Sequence, residues 1–296
     1  MHGAIRNVHR RLFVERGAEM NVVIKTDDTW MRTLQHSLWT DLSLVLSEGN
    51  PTWPLHMPLQ HKIWNWFEKP PLLGQESRSE LAFHTGWWTL DEHHGTHFDA
   101  PTHFIPPPDS GLPGAGPAGA MSGDLVPLAR FHGPACVIDV RDLVGHAEPG
   151  VSPTIELDRV ESFETEWGPI EPGDVVIFWS AWDQFYQPGS AGSGYALDVV
   201  NARAPGWPAP SVEVIEALYE RGVLTLGTDG CSIGSSHDGV PGHMAGLSRE
   251  MIYVEGLAHL ETIPLRGAFF IFLPLKLAAS SGGAGRAVGI IPMETE

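Results

Sequence analysis

The sequence predicts a single α/β domain built on one mixed sheet. Three observations point there: apolar runs of strand length dominate, helical stretches are interspersed among them without a fixed alternation, and no internal repeat is present. Irregular alternation argues against a doubly wound parallel sheet. With 296 residues, 42% of them hydrophobic, the chain supplies a substantial core.

Residues 1–30 carry Arg6, Arg10, Arg11 and Arg16 but lack the apolar run of a secretory signal, so they are expected to form a loosely ordered arm ahead of one domain over 31–296. Residues 30–46 read first as helix and then as strand, until Gly49-Asn50-Pro51 ends the run. Pro51-Thr52-Trp53-Pro54 is a rigid turn that keeps the Trp53 indole from core packing, whereas Trp64, Trp66 and Phe67 are expected in the core. A polar break at 75–80 precedes a strand over 81–90. Residues 106–119, rich in Pro, Gly and Ala, form an irregular lid or rim.

Residues 135–140 read as a buried strand, 156–167 as a helix stopped by Gly168-Pro169, and 175–180 as a strand entered through Pro172-Gly173-Asp174. Trp179, Trp182, Phe185 and Tyr186 crowd its exit, and one or two of them are expected to line a pocket for an aromatic substrate. Ser211 caps a helix with the apolar stripe Val212, Ile215, Leu218 and Tyr219, which Gly222 stops. Strands follow over 223–228, 251–254, 268–273 and 288–291, and His243 is expected to begin a short helix with Met244 and Leu247.

The chemistry concentrates in His93-His94-Gly95-Thr96-His97-Phe98-Asp99-Ala100-Pro101-Thr102-His103. Imidazoles and carboxylates are ligands that divalent transition metals accept. In an extended chain His93, His97, Asp99 and His103 share one face. A straight strand would set residues 93 and 97 roughly 13 Å apart, too far to share one ion, so the chain must bend at Gly95, which tolerates backbone angles closed to other residues. His93, His97 and Asp99 then make two nitrogens and one oxygen, the three-ligand pattern of a catalytic metal. His103 lies beyond that run, free to move protons, and His94 faces the other way as an ordinary structural histidine.

Eighteen basic against thirty-six acidic residues give a net charge of -18, which disfavours nucleic acid and anionic membrane surfaces. No stretch reaches the ~18 apolar residues of a membrane span. Cys136 and Cys231 are widely separated and form no CxxC pair, as expected of free thiols in a reducing, cytoplasmic setting. GxGxxG after a strand, GxxxxGK[ST], GxSxG and HExxH are all absent, leaving activation to a metal.

The pattern HxGTHxDxPxH over 93–103 resembles the signature of the cyclase-like metal-dependent hydrolases, the family of bacterial kynurenine formamidase and isatin hydrolase. Weaker matches fall in the family's order: Asp41-Leu42-Ser43, Pro51-Thr52-Trp53-Pro54, Gly133-Pro134-Ala135 leading to Asp139, Pro172-Gly173-Asp174, Pro274-Leu275-Lys276-Leu277 and Gly285-Arg286. The resemblance implies a swivelling β/β/α fold, a homodimer or homotetramer, and hydrolysis of a C–N bond in a small amide, formamide or lactam. It also implies one or two divalent ions, zinc or manganese. His93, His97 and Asp99 would hold the first, Asp99 would bridge to a second completed by His243 and Glu255, His103 would be the general acid/base, and Trp53 would face the substrate. The alternatives are a metal-assisted cyclase, lyase or lactone hydrolase acting on a cyclic small molecule, and a non-catalytic metal- or ligand-binding protein.

Overall fold

The computed structural model describes residues 7–14, 18–25, 29–68 and 83–293. In chain order the strands are β1 (Asn7–Val14), β2 (Ala18–Lys25), β3 (Ser37–Asp41), β4 (Gln60–Glu68), β5 (Phe83–Thr89), β6 (His97–Asp99), β7 (His132–Asp139), β8 (Thr154–Ile155), β9 (Val175–Trp179), β10 (Ala209–Pro210), β11 (Thr225–Thr228), β12 (Ile252–Glu255), β13 (Arg266–Pro274) and β14 (Gly282–Pro292). The α-helices are α1 (Thr29–Gln35), α2 (Leu157–Trp167), α3 (Leu197–Val200), α4 (Val212–Glu220) and α5 (Val240–Leu247).

The main sheet is mixed, as expected, and runs β13-β7-β9-β11-β12-β6-β14-β3. Its centre, β7-β9-β11-β12, is parallel, and the remaining neighbours are antiparallel. A further antiparallel pairing of β13 with β14, Phe269 opposite Ile290 through Pro274 opposite Gly285, closes the sheet into a barrel. Closure removes two exposed edges.

Alternation along the central strands supplies two cores. Cys136, Ile138, Val176, Phe178, Leu226 and Tyr253 face outward and pack with Val160 and Phe163 of α2 and Val214, Ile215 and Leu218 of α4. Ala135, Val137, Val175, Ile177, Ile252 and Val254 face inward, together with Phe98, Phe270 and Phe272. Strands buried on both faces read as continuous apolar runs, which is why 135–140 and 175–180 were legible. Helix α2 occupies the expected residues and ends at Gly168, whose φ of 89° is left-handed. Ser211 caps α4 by accepting the Val214 N–H.

Several expectations change. Residues 7–14 and 18–25 pair as an antiparallel ladder where a loose arm was expected, and Arg6, Arg16 and the polar break at 75–80 lie outside the described residues. The buried stripe of α4 is Val214, Ile215 and Leu218, while Val212 and Tyr219 at its margins face solvent. His243 sits within α5, which begins at Val240 because Pro241 suits a first helical turn. β14 begins at Gly282, far before 288, because its Gly/Ala opening carries no apolar alternation.

The largest change concerns the aromatic stretch. β4 and β5 form an antiparallel hairpin on which Trp64, Trp66 and Phe67 are 75%, 60% and 59% exposed, not in the core. Ladder irregularities between Ile63 and Asn65 and between Trp66 and Glu68 break the alternation that would have turned them to one side.

Candidate metal centre

Strand register builds the centre. β12 runs antiparallel to β6 with Glu255 opposite His97, Val254 opposite Phe98 and Tyr253 opposite Asp99. Phe98 and Val254 enter the barrel core, so His97, Asp99 and Glu255 must project together from the outer face. His93 arrives by a turn at Gly95, whose φ is +66° and where a Cβ would collide with Leu46 Cδ2 at 2.1 Å. Only glycine satisfies both constraints. Helix α5 brings His243 from the other side.

The groups converge while almost fully buried. His93 Nδ1 lies 2.7 Å from Asp99 Oδ1, His97 Nε2 lies 3.5 Å from the same oxygen and 3.6 Å from Glu255 Oε2, and His243 Nε2 lies 3.6 Å from Asp99 Oδ2. Donor atoms of His93, His97 and Asp99 fall within 4.8 Å of one another, as do those of Asp99, His243 and Glu255, so Asp99 is common to both sets.

Two tautomers follow from hydrogen bonding. A carbonyl oxygen only accepts, so His97 Nδ1–H donates to Gly95 O at 2.9 Å and His243 Nδ1–H donates to Gly239 O at 2.7 Å. Both Nε2 atoms then point into the cluster. Burial disfavours their protonation, but the Asp99 and Glu255 carboxylates outweigh it and raise His97 to about 9 and His243 in the same direction, so each Nε2 carries a proton that a cation would displace. Asp99 Oδ2 is buried without a hydrogen-bond partner. Such an oxygen is costly unless something positive meets it, and the inward-pointing imidazole nitrogens around it fit a divalent cation that would take the place of their protons.

His103 ends a short 3-10 turn, Pro101–His103, and stacks on His93 with ring centroids 3.8 Å apart. Burial pushes its imidazole down to about 4, against the pull of Asp99. Burial would raise the Asp99 carboxyl, but the surrounding imidazoles of His103 and His93 outweigh it and hold the group well below the ordinary carboxylate range.

The cluster forms one wall of a cavity of about 330 Å³, within the size range of small-molecule sites. Trp53 lines it, edge-on to Trp207 at 6.1 Å, and Phe104 stacks on His243 at 4.0 Å. The structure thus brings His93, His97, Asp99, His243, Glu255, His103 and Trp53 to one place. His94 is buried apart from the ligand set, 3.4 Å from the Tyr186 hydroxyl. Of the residues expected to line an aromatic pocket, Trp182 and Tyr186 pack instead in a small core with Tyr195 and Trp207, and it is Tyr195 and Trp207 that reach the cavity. Sequence reasoning did not single out those two, nor Ser232, whose hydroxyl lies 3.2 Å from Glu255 Oε1. The signal for Ser232 was its place just beyond the carboxyl end of β11, where ligand-binding residues of such sheets gather. Ser281, which contacts His93, and Glu92, which accepts from Ser281, were also missed.

Comparison with known proteins places the chain in a family. An isatin hydrolase of Roseibium aggregatum is 30% identical over 218 residues, covering 71% of this chain and 76% of that protein. A kynurenine formamidase of Erythrobacter litoralis is 26% identical over 256 residues, 86% of this chain and 94% of the relative. Among solved structures, an isatin hydrolase bound to the product analogue thioisatinate superposes with a TM-score of 0.74 at 23% identity, over 90% of this chain and 97% of that one. The sequence pattern of the family described as "Putative cyclase" matches residues 40–235, from the end of β3 through β11 and the whole 93–103 motif, and the chain therefore belongs to the cyclase family.

Proposed function

We propose that the protein is a metal-dependent hydrolase of a C–N bond in a small, uncharged cyclic or open-chain amide. The observation that carries this reading is the orphaned Asp99 oxygen among inward-pointing imidazole nitrogens, with His103 at its side and an aromatic cavity in front. The mixed nitrogen and oxygen set suits zinc or manganese. A divalent cation supplies, when bound, Lewis acidity toward a carbonyl oxygen and a lowered pKa for water.

The chain's own groups do the rest. His93, His97 and Asp99 hold one ion, with Asp99, His243 and Glu255 forming the second set. Trp53, Trp207 and Phe104 offer rings against which a planar substrate packs. His103, neutral because it is buried, takes the proton that the attacking water loses and hands it to the departing nitrogen, a role worth about 10²- to 10⁴-fold.

Charge narrows the substrate. Among the described residues lining the cavity there is no lysine or arginine, and Glu255 is the acidic one. A free carboxylate or ammonium on the substrate would find no partner side chain of its own, which favours a neutral lactam over an amino-acid amide. The test is turnover in H₂¹⁸O across N-formyl and cyclic amides, before and after chelation. Chelator-sensitive incorporation of label into a new carboxylate is the expected result, with neutral lactams fastest. Full metal loading without turnover of any amide or lactam sinks the reading.

A homodimer formed through the β4–β5 hairpin is part of the same proposal. Ile63, Trp64, Trp66, Phe67, Phe83, Trp87 and Trp88 are 42–75% exposed, and a two-stranded ribbon so apolar is marginal by itself. Aromatic side chains bury about 150–250 Å² each, so covering this set reaches the scale of about 800 Å² per partner in a standard interface. Lys62 and Glu68 are the only charged residues on the two strands, making the hairpin a neutral zone where two copies of an otherwise acidic chain can meet. The free thiols Cys136 and Cys231 support a reducing compartment such as the cytoplasm.

A further inference from the structure

The three histidines of the centre are not held alike. His97 and His243 each have the ring nitrogen away from the cluster tied to a main-chain carbonyl, Gly95 O and Gly239 O. A side-chain substitution cannot delete such an acceptor. His93 has none: its Nε2 lies 2.9 Å from Ser281 Oγ, a hydroxyl contributed by the approach to β14, 188 positions along the chain.

A hydroxyl can donate or accept, so this contact alone does not assign the ring. Glu92 decides it. Ser281 Oγ lies 2.6 Å from Glu92 Oε2, and Ser281 N–H donates to the same oxygen at 2.8 Å. An ionised carboxylate only accepts, so the single hydroxyl proton of Ser281 points to Glu92. The Ser281 oxygen then faces His93 with its lone pairs, and His93 Nε2 must carry the proton it shares with them. Asp99 Oδ1 lies 2.7 Å from Nδ1, and a carboxylate oxygen only accepts, so without a cation Nδ1 is the donor there. A cation taking that place would leave Nδ1 as the ligand atom and keep Nε2–H toward Ser281.

We propose that Glu92 and Ser281 are positioning residues that fix His93 in its Nε2–H tautomer and aim Nδ1 at the cation, an inference that depends on the metal-centre reading above. Packing supports the placement. A Cβ on Gly282 would lie 2.8 Å from His93 Cε1 and 2.2 Å from Phe98 O, so the strand entry that carries Ser281 is pressed against the imidazole. Ser281 is itself fixed in the sheet, its carbonyl accepting from Ala100 N–H at 2.8 Å. Those main-chain bonds survive loss of the hydroxyl. The device thus belongs to one ligand only, and to side chains that can be changed.

The experiment is a zinc titration of the chelator-stripped full chain against a competing chromophoric chelator, for wild type, Ser281→Ala, Glu92→Ala and Glu92→Gln. Outer partners of ligating histidines are worth roughly 10- to 100-fold in metal affinity. That loss is expected for Ser281→Ala and for Glu92→Ala. Glu92→Gln, whose amide oxygen still accepts from the Ser281 hydroxyl, should stay within about threefold of wild type, a rescue that a merely structural role for Glu92 would not give. Long-range ¹H–¹⁵N spectra should show His93 as the Nε2–H tautomer in the zinc-loaded wild type and a weakened or mixed pattern in Ser281→Ala. If Ser281→Ala fails to fold, the contrast between the two Glu92 variants carries the same information. Unchanged affinity in Ser281→Ala and Glu92→Ala, or a His93 Nδ1–H tautomer in the zinc-loaded wild type, overturns the assignment while leaving the centre intact. Wild-type protein that binds no zinc overturns the centre itself, and the assignment with it.

Discussion

The centre and the hairpin invert the usual partition of a soluble protein in opposite senses. At the centre, Asp99, Glu255, His97 and His243 are almost completely buried, whereas on β4 and β5 tryptophans and two phenylalanines stand in solvent. Either feature alone is costly, since buried polar groups need partners and large exposed apolar patches are uncommon on monomers. The contrast teaches what the proposed reading asks of each region: a cation at one and, in the proposed dimer, an apolar surface at the other.

The sharpest way to break that comparison is Asp99→Ala, which removes the carboxylate common to both ligand sets. Metal affinity should fall by more than the roughly 100-fold upper range for an outer partner, with turnover lost alongside. Retained metal in this variant, measured by elemental analysis, would remove Asp99 from the centre. His103→Ala should separate binding from catalysis, losing about 10²- to 10⁴-fold in kcat while keeping its metal. Equal metal loss in the two variants would move His103 into the ligand set.

Asp229 sharpens the buried half. It is as deeply buried as Asp99, but its neighbours are neutral donors: Ser180 Oγ at 2.6 Å, Ser180 N at 2.9 Å and Trp182 N at 3.2 Å. Burial pushes its carboxyl up to about 7, and the hydrogen bonds from Ser180 only partly oppose this. The native state therefore keeps this proton to about 7, whereas the unfolded chain releases it near 3.9. Folding stability from this group is complete below pH ~4 and declines as pH rises toward 7, at up to about 1.4 kcal/mol per unit. Denaturant titrations at pH 4.5, 5.5 and 6.5 should show that slope in the wild type, and Asp229→Asn should flatten it. Parallel slopes in the two proteins would mean that Asp229 is ionised throughout.

The smallest expected effect tests the exposed half. Trp66→Asp places a charge within the neutral ribbon and should weaken self-association by about 2 kcal/mol, the scale of an interface hot spot. Sedimentation should then show monomer at concentrations where the wild type is dimeric. A wild type that is monomeric at every concentration leaves the hairpin to some other partner.

How much of this was legible in the sequence depended on separation along the chain. His93, His97, Asp99 and His103 lie within eleven positions, and the glycine that bends them together lies among them. His243 and Glu255 were reachable only through resemblance, because the pairing of β6 with β12 that brings Glu255 to His97 joins strands more than 150 residues apart. Ser281 carried no local signal, and Glu92 gave none beyond its adjacency to His93. Trp64 and Trp66 were misassigned for a different reason. Their composition suits a core, and only the ladder, with its irregularities and its exposed rings, shows that they face outward. The short parallel strands were read well because burial on both faces leaves an unbroken apolar run. The glycine-rich start of β14 left no such trace.

The brevity of β6 has a mechanical consequence. This three-residue strand is the narrowest stave of the barrel, joined to β12 on one edge through 97–99 and to β14 through 282–284. Of the five proposed ligands, two sit on that stave, one on β12, one on α5 and His93 just ahead of the stave, so an ion held there would be a clasp across the weakest seam of the hoop. Loading and folding are then one linked equilibrium, with a gain of about 2.7 kcal/mol at a hundredfold excess of free metal over its Kd. An ion held there would raise the thermal resistance of this protein in step with metal supply.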